Sequence, residues 1–148
     1  MTRRFAFVFV HVFVVLSLRA VASAGPVCDA SLWDHVFSRT RLTVVEPCVV
    51  LRGVVVMPIP QFDGDYHILV KPDPGYEWVE PAQPLVNAEV MCVVPVMQDG
   101  PPAQTCAHWH QDIAVPAPGA HVEIAGAYVD DGGHGWHELH PVTSIEAL

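Results

Sequence analysis

Residues 119–141 read GAHVEIAGAYVDDGGHGWHELHP, and the reading of this stretch decides the fold. From Ala120 to Val129, the residues Val122, Ile124 and Tyr128 alternate with His121, Glu123 and Ala125. That is the period of a strand with one face in a core. Gly126 inside the run marks a bend. Asp130 to Gly135 is built of Asp and Gly and predicts a turn. A return strand then runs from Trp136 to about Ile145, so the stretch is a β-hairpin.

Working outward, the preceding segment Gln98–Pro118 reads as irregular, since it carries Pro101, Pro102, Pro116 and Pro118. Before it, Leu85–Val96 predicts a strand that is apolar on both faces through Val90–Val94. Residues 72–84 are rich in proline and read as a surface connection, with Tyr76 and Trp78 packing back onto the domain. Asp65–Lys71 alternates as another strand, preceded by a turn at Phe62–Gly64. Arg41–Met57 predicts the first and longest strand, with Pro47 at its start or on an edge and Gly53 at a bulge or sharp bend. Asp29–Phe37 is the one helical pattern, capped by Asp29, with Trp33 as a core plug.

Five strands, one short helix and many Gly/Pro turns predict an all-β fold. The expected architecture is a five-stranded Greek-key barrel of the OB type, formed by residues 25–148 as a single domain. A long first strand that curves at Gly53, a long link between strands three and four, and a hairpin between four and five all suit it. An immunoglobulin-like sandwich would want about seven strands.

The N-terminus has the three parts of a secretory signal peptide: Arg3 and Arg4, an apolar run Phe5–Leu18, and Ala22-Ser23-Ala24. The run is too short to span a bilayer, for which about 20 residues are needed. Cleavage after Ala24 is expected, giving a secreted, extracytoplasmic protein with no membrane attachment. Arg3, Arg4 and Arg19 would leave with residues 1–24, so four of the seven basic residues would face all sixteen acidic ones, a net charge of −12. Such an acidic protein repels nucleic acid and anionic membranes, whose binding depends on Lys and Arg neutralising phosphates. The four cysteines, Cys28, Cys48, Cys92 and Cys106, are even in number and predict two disulfides in that compartment. Three pairings are possible; Cys28–Cys48 with Cys92–Cys106 is favoured because each closes a short loop.

Arg41-Leu42-Thr43-Val44 with Cys48, Gly64-Asp65-Tyr66-His67, Gly119-x-x-Val122 through Gly126, and the ending Asp130-Asp131, His134-Gly135-Trp136, Glu138-Leu139-His140-Pro141 resemble a group of uncharacterised bacterial OB-fold-like secreted proteins. The resemblance covers most of residues 41–145. It implies an OB-like barrel closed by a C-terminal hairpin motif, and it implies no activity.

Two functions follow as expectations. The first is a non-catalytic binding or interaction module, taking a small molecule, a cation or a protein. In an OB barrel the first-to-second and fourth-to-fifth strand loops flank the binding face. Here they carry Asp63, Asp65, Asp130 and Asp131, with Trp136 beside them. The second is a divalent-metal-binding protein, or a metal-dependent hydrolase, using His134, Glu138 and His140, since imidazole and carboxylate together suit zinc. Strand periodicity puts Trp136, Glu138 and His140 on one face and His137 on the other, so His137 and His140 cannot share an ion without a bulge. The same residues also read as a buried, hydrogen-bonded set that fixes the register of the hairpin. His108 and His110 form a further alternating pair around Trp109. Catalysis finds little to work with: no G-x-S-x-G elbow, and after residue 24 only Ser31, Ser38 and Ser144, with Arg39, Arg41 and Arg52.

Overall fold

The computed structural model describes residues 27–76 and 83–148. The expected signal peptide and Trp78 lie outside the described residues. The fold is mostly β. Its strands are β1 (Leu42–Pro60), β2 (Tyr66–Pro72), β3 (Val86–Val90), β4 (His121–Asp131) and β5 (Trp136–Ala147). They close into a hydrogen-bonded ring in the order β1-β2-β3-β5-β4. Every pairing is antiparallel except β3 with β5, a short parallel seam that sets Asn87 opposite Glu138 and Ala88 opposite Leu139.

β1 serves two neighbours. Its first part pairs with β4, from Leu42 opposite Asp131 to Val54 opposite His121. Its last part pairs with β2, from Gly53 opposite Pro72 to Pro60 opposite Tyr66. The exchange happens at Gly53, where any Cβ would collide with the Lys71 carbonyl oxygen. Glycine is required there by the close approach of the two backbones, as the bend expected from sequence suggested. Pro47 is not at the start of β1; it is exposed, in the part of the strand that pairs with β4 on one side and begins to pair with β2 only at Gly53. It lies where the β4 register shifts between Glu46 and Val49, and at a bulge a missing donor breaks no ladder bond.

β3 ends at Val90, well short of the expected Val96. The apolar run continues, but the backbone leaves the sheet: Cys92 has φ 55° and its N–H is held by the Asp65 carboxylate at 2.6 Å. Side-chain hydrophobicity carries no sign of this turn. The segment Gln98–Pro118 is not wholly irregular, because it contains the short helix α1 (Pro101–Cys106). Pro101 and Pro102, read from sequence as breakers, fit the first helical turn, where no N–H is needed. The N-terminal helix is a 3-10 helix, Ala30–His35, shorter than the predicted Asp29–Phe37. Asp29 does cap it, accepting from the Ser31 N–H at 2.9 Å. Trp33 is half-buried and packs against a small cluster rather than plugging the main core.

The main core fills the ring, with Leu51, Ile68, Val70, Val86, Ile124 and Leu139 all at 0% exposure. A second cluster, Leu32, Val36, Met91 and Cys92 with Trp33 and Trp109 against it, joins the N-terminal 3-10 helix to the segment after β3. Cys28–Cys48 and Cys92–Cys106 are both formed, the pairing that short loops favour. Among the described residues no helix is long and apolar enough to cross a membrane.

Candidate functional site

Because strands have a period of two, the residues between the core positions face outward. Val86, Ala88 and Val90 point into the ring, so Asn87 and Glu89 point out of it. Ile68 and Val70 leave His67 and Leu69 outside, and Leu139 leaves Glu138 and His140 outside. The parallel β3–β5 seam then sets these groups side by side. They are outside the ring but not in solvent: Glu89, Glu138 and His140 are exposed by 1%, 0% and 3%. Gln111 helps seal the region. It is itself buried, accepts from the Met91 N–H at 2.9 Å and donates to the Val142 carbonyl at 2.6 Å.

Glu138 lies at the centre. Its Oε2 accepts from Asn87 Nδ2 at 2.9 Å and from Trp136 Nε1 at 2.8 Å. Its Oε1 is 3.1 Å from His140 Nδ1. The same imidazole nitrogen is 3.2 Å from Glu89 Oε2, which also lies 3.2 Å from His67 Nε2. Neither contact is aligned as a hydrogen bond, and both Glu89 oxygens are buried without one. Burial opposes a charge on His140, but Glu89's charge and the Glu138 hydrogen bond outweigh it and raise His140 to about 10. Burial likewise pushes Glu89 up, and His140 and His67 more than reverse that, holding it well below the usual carboxylate range. His67 is disfavoured as a cation by burial and favoured more strongly by Glu89, so it is raised.

The acidic loop residues expected to meet a ligand occupy several environments. Asp65 is buried and accepts from Cys92; burial, reinforced by the charge of Glu89, raises it to about 7. Asp63, half-buried, accepts from the Asp65 N–H at 3.2 Å. Asp131 is fully buried, accepts from the Gly133 N–H at 2.7 Å, and lies 3.3 Å from Arg41 Nε and 2.8 Å from His134 Nδ1. Asp130 is half-buried in the ladder opposite Thr43 and His137. Trp136 carries His134 stacked on its ring at 4.6 Å between centroids.

The metal set expected from the hairpin, His134, Glu138 and His140, does not come together as one trio. Ligand atoms of Glu138 and His140 gather with one from Glu89, all within 4.8 Å of one another. Those of His134 gather with Asp131 and Glu138 in an adjoining trio, and Asp63, Asp65 and Glu89 form a third. His108 and His110 are exposed and belong to none of these groups, while Trp109 between them stacks on His35 at 3.8 Å. Sequence reasoning missed Glu89, Asn87 and His67. Their signal is present in Val86-Asn87-Ala88-Glu89-Val90, where two polar residues alternate with three apolar ones, but the apolar run Val90–Val94 that follows dominates the reading of the strand.

A cleft of about 280 Å³ opens over this cluster, lined by Ile59, His67, Leu69, Gln83, Leu85, Asn87, Trp136 and His137. His67, Asn87 and Trp136 therefore touch the cleft on one side and the buried carboxylates on the other. The walls are apolar and aromatic, and the polar groups in them are fixed from behind. That arrangement orients a ligand without needing to move. Compared with known protein families, curated proteins and solved structures, the chain matches none.

Proposed function

We propose that this chain is a secreted, non-catalytic binding module with an OB-type Greek-key barrel, and that its ligand occupies the cleft over β2, β3 and Trp136. The ring order, the single parallel seam between β3 and β5, and a first strand shared between β2 and β4 support the barrel. Barrels of this type bind through the face of strands two and three, between the first-to-second and fourth-to-fifth strand loops. The observation that carries the reading is the cleft itself, lined by Leu69 and His67 of β2, Asn87 of β3 and Trp136 at the end of the β4–β5 hairpin. Two disulfides fit an oxidising, extracellular compartment.

The ligand class follows from charge and shape. A chain of net charge −9 disfavours polyanions such as nucleic acid. Trp136 and His134 offer stacked ring faces, which suit a neutral sugar ring or a cationic group. The test is a titration of nitrogen-15-labelled protein with neutral monosaccharides, a quaternary ammonium compound and a guanidinium compound, followed by NMR. Shifts are expected at His67, Leu69, Asn87 and Trp136, and Trp136→Ala is expected to abolish them while leaving the remaining spectrum dispersed. Shifts confined to the separate pocket lined by Val45, Glu46, Val49 and Val50, or undiminished binding by Trp136→Ala, would refute this assignment.

A further inference from the structure

The region behind the cleft holds more buried negative charge than the chain supplies fixed positive charge to balance. Asp65, Glu89, Asp131 and Glu138 are all buried. Among the described residues Arg41 is the one arginine in ion-pair contact with any of them, and it approaches Asp131. Among the described residues Glu89 and Glu138 face imidazoles and neutral donors, so the positive charge that balances them is a proton on His140 and His67 or a cation in its place. Buried carboxylates need a paired cation, because an unpaired charge in a low-dielectric interior is heavily penalised.

A second observation concerns hydrogen bonding rather than charge. Both Glu89 oxygens, Asn87 Oδ1 and His140 Nε2 are buried without a hydrogen-bond partner, and the three residues are exposed by 1%, 6% and 3%. Buried polar atoms in native proteins are nearly always satisfied by protein, water or an ion. These four atoms belong to residues at one place, and Glu89 and His140 are metal-ligating in type; Arg41 Nε and Asp131 Oδ2, also without a hydrogen bond, already face each other as an ion pair.

We infer that Glu89, Glu138 and His140 form a binding site for one divalent first-row transition ion of the zinc type. His140 Nδ1 lies 3.2 Å from Glu89 Oε2 and 3.1 Å from Glu138 Oε1. Two donors on a tetrahedral zinc at about 2.0–2.1 Å stand about 3.4 Å apart, close to the two imidazole–carboxylate distances, and all three ligand atoms lie within 4.8 Å of one another. An imidazole with two carboxylates suits zinc, whereas calcium wants six to eight oxygens. The groups that orient the ligands are in place: Asn87 and Trp136 hold Glu138 Oε2, which leaves Oε1 toward His140. Such supporting contacts are what tune and fix metal ligands. The site is independent of what occupies the cleft, but His67, Asn87 and Trp136 connect the two.

The experiment is a titration of the full secreted protein, stripped with chelator, with zinc, cobalt and calcium chlorides. Zinc is expected to raise the melting temperature and to bind with a stoichiometry of one, since a ligand that binds only the native state stabilises it. Cobalt is expected to give a visible absorption band that zinc displaces, and calcium to do neither. Glu89→Gln, nearly identical in shape, is expected to weaken zinc by more than about a hundredfold. Asp131→Asn and His134→Ala should leave zinc bound. Absence of the band and of the thermal shift in the wild-type protein would overturn the assignment, as would full-strength binding by Glu89→Gln. Should Glu89→Gln not fold, paramagnetic broadening by cobalt in the wild-type NMR spectrum decides alone. Broadening centred on Glu89, Glu138 and His140 supports the site; broadening centred on Asp131 and His134, or on His108 and His110, refutes it.

Discussion

A buried imidazole with carboxylates around one ring nitrogen must hold a proton there or yield the place to another cation, and His140 is such a group. Its pKa is raised from the ordinary 6.5 to about 10. The native state therefore binds a proton that the unfolded chain has already released over that interval. The stabilisation is fully present below about pH 6.5 and is lost as pH rises toward about 10. His67, also raised, acts in the same direction. Asp65 is raised from 3.8 to about 7, so its own contribution fades between those values and is gone above them. A measurement from about pH 7.5 to 10 thus isolates the histidines. Stability of chelator-stripped protein, from urea unfolding, is expected to fall across that range by up to about 1.4 kcal/mol per pH unit for each proton. Glu89→Gln should make the slope shallower. A flat wild-type profile would show that His140 is neutral in the fold. At this scale the sequence was only half legible. Trp136, Glu138 and His140 do share a face, as strand periodicity required, and Trp136 and His140 each hydrogen-bond to Glu138. Glu89 was hidden because it is 49 positions from Glu138, and only the parallel seam joins them.

Among the elements, β2 and β4 were readable from alternation, β1 from its long apolar and β-branched run, and β5 as the return strand after the Asp/Gly turn. The end of β3 was not, because the run through Val93 and Val94 stays apolar after the backbone has left the sheet. What stops the strand is a side-chain-to-backbone bond from a residue 27 positions away, Asp65. The seam between β3 and β5 is the thinnest joint of the ring, with two residue pairs, against ten between β1 and β4. The Asn87–Glu138 hydrogen bond lies on that seam and is buried. Asn87→Ala leaves a buried carboxylate with one donor fewer, which is expected to cost about 1–3 kcal/mol. Hydrogen exchange should then show the largest loss of protection in β3 and β5, with β1 and β4 changed least. Uniform loss over all five strands would mean that the seam is not a separate weak point. Gly53→Ala makes the contrasting case: its Cβ would meet the Lys71 carbonyl, so it should disturb β1 and β2 and leave the seam intact.

For the molecule as a whole, the two disulfides fix outlying segments to the ring rather than joining strand to strand. Cys28–Cys48 ties the N-terminal 3-10 helix to β1. Cys92–Cys106 ties the end of α1 to the turn after β3, where Asp65 holds the Cys92 N–H. The bridges are separated by 20 and 14 residues in sequence. Closing loops of that size contributes about 3 kcal/mol each by constraining the unfolded chain. Energetically the two are nearly equivalent, but their positions are not. Cys28→Ser with Cys48→Ser should lower stability by about that amount and leave the cleft competent. Cys92→Ser with Cys106→Ser should lower it similarly and also loosen the turn beside Asp65 and the segment that leads to Gln111, admitting water to Glu89 and His140. Urea unfolding gives the first quantity for both variants. The second comes from the pH dependence of stability, which should persist in the first variant and flatten in the second as water screens the charges. If both variants keep the wild-type slope, the Cys92–Cys106 staple is not what keeps the polar cluster dry, and sealing rests with Gln111 alone.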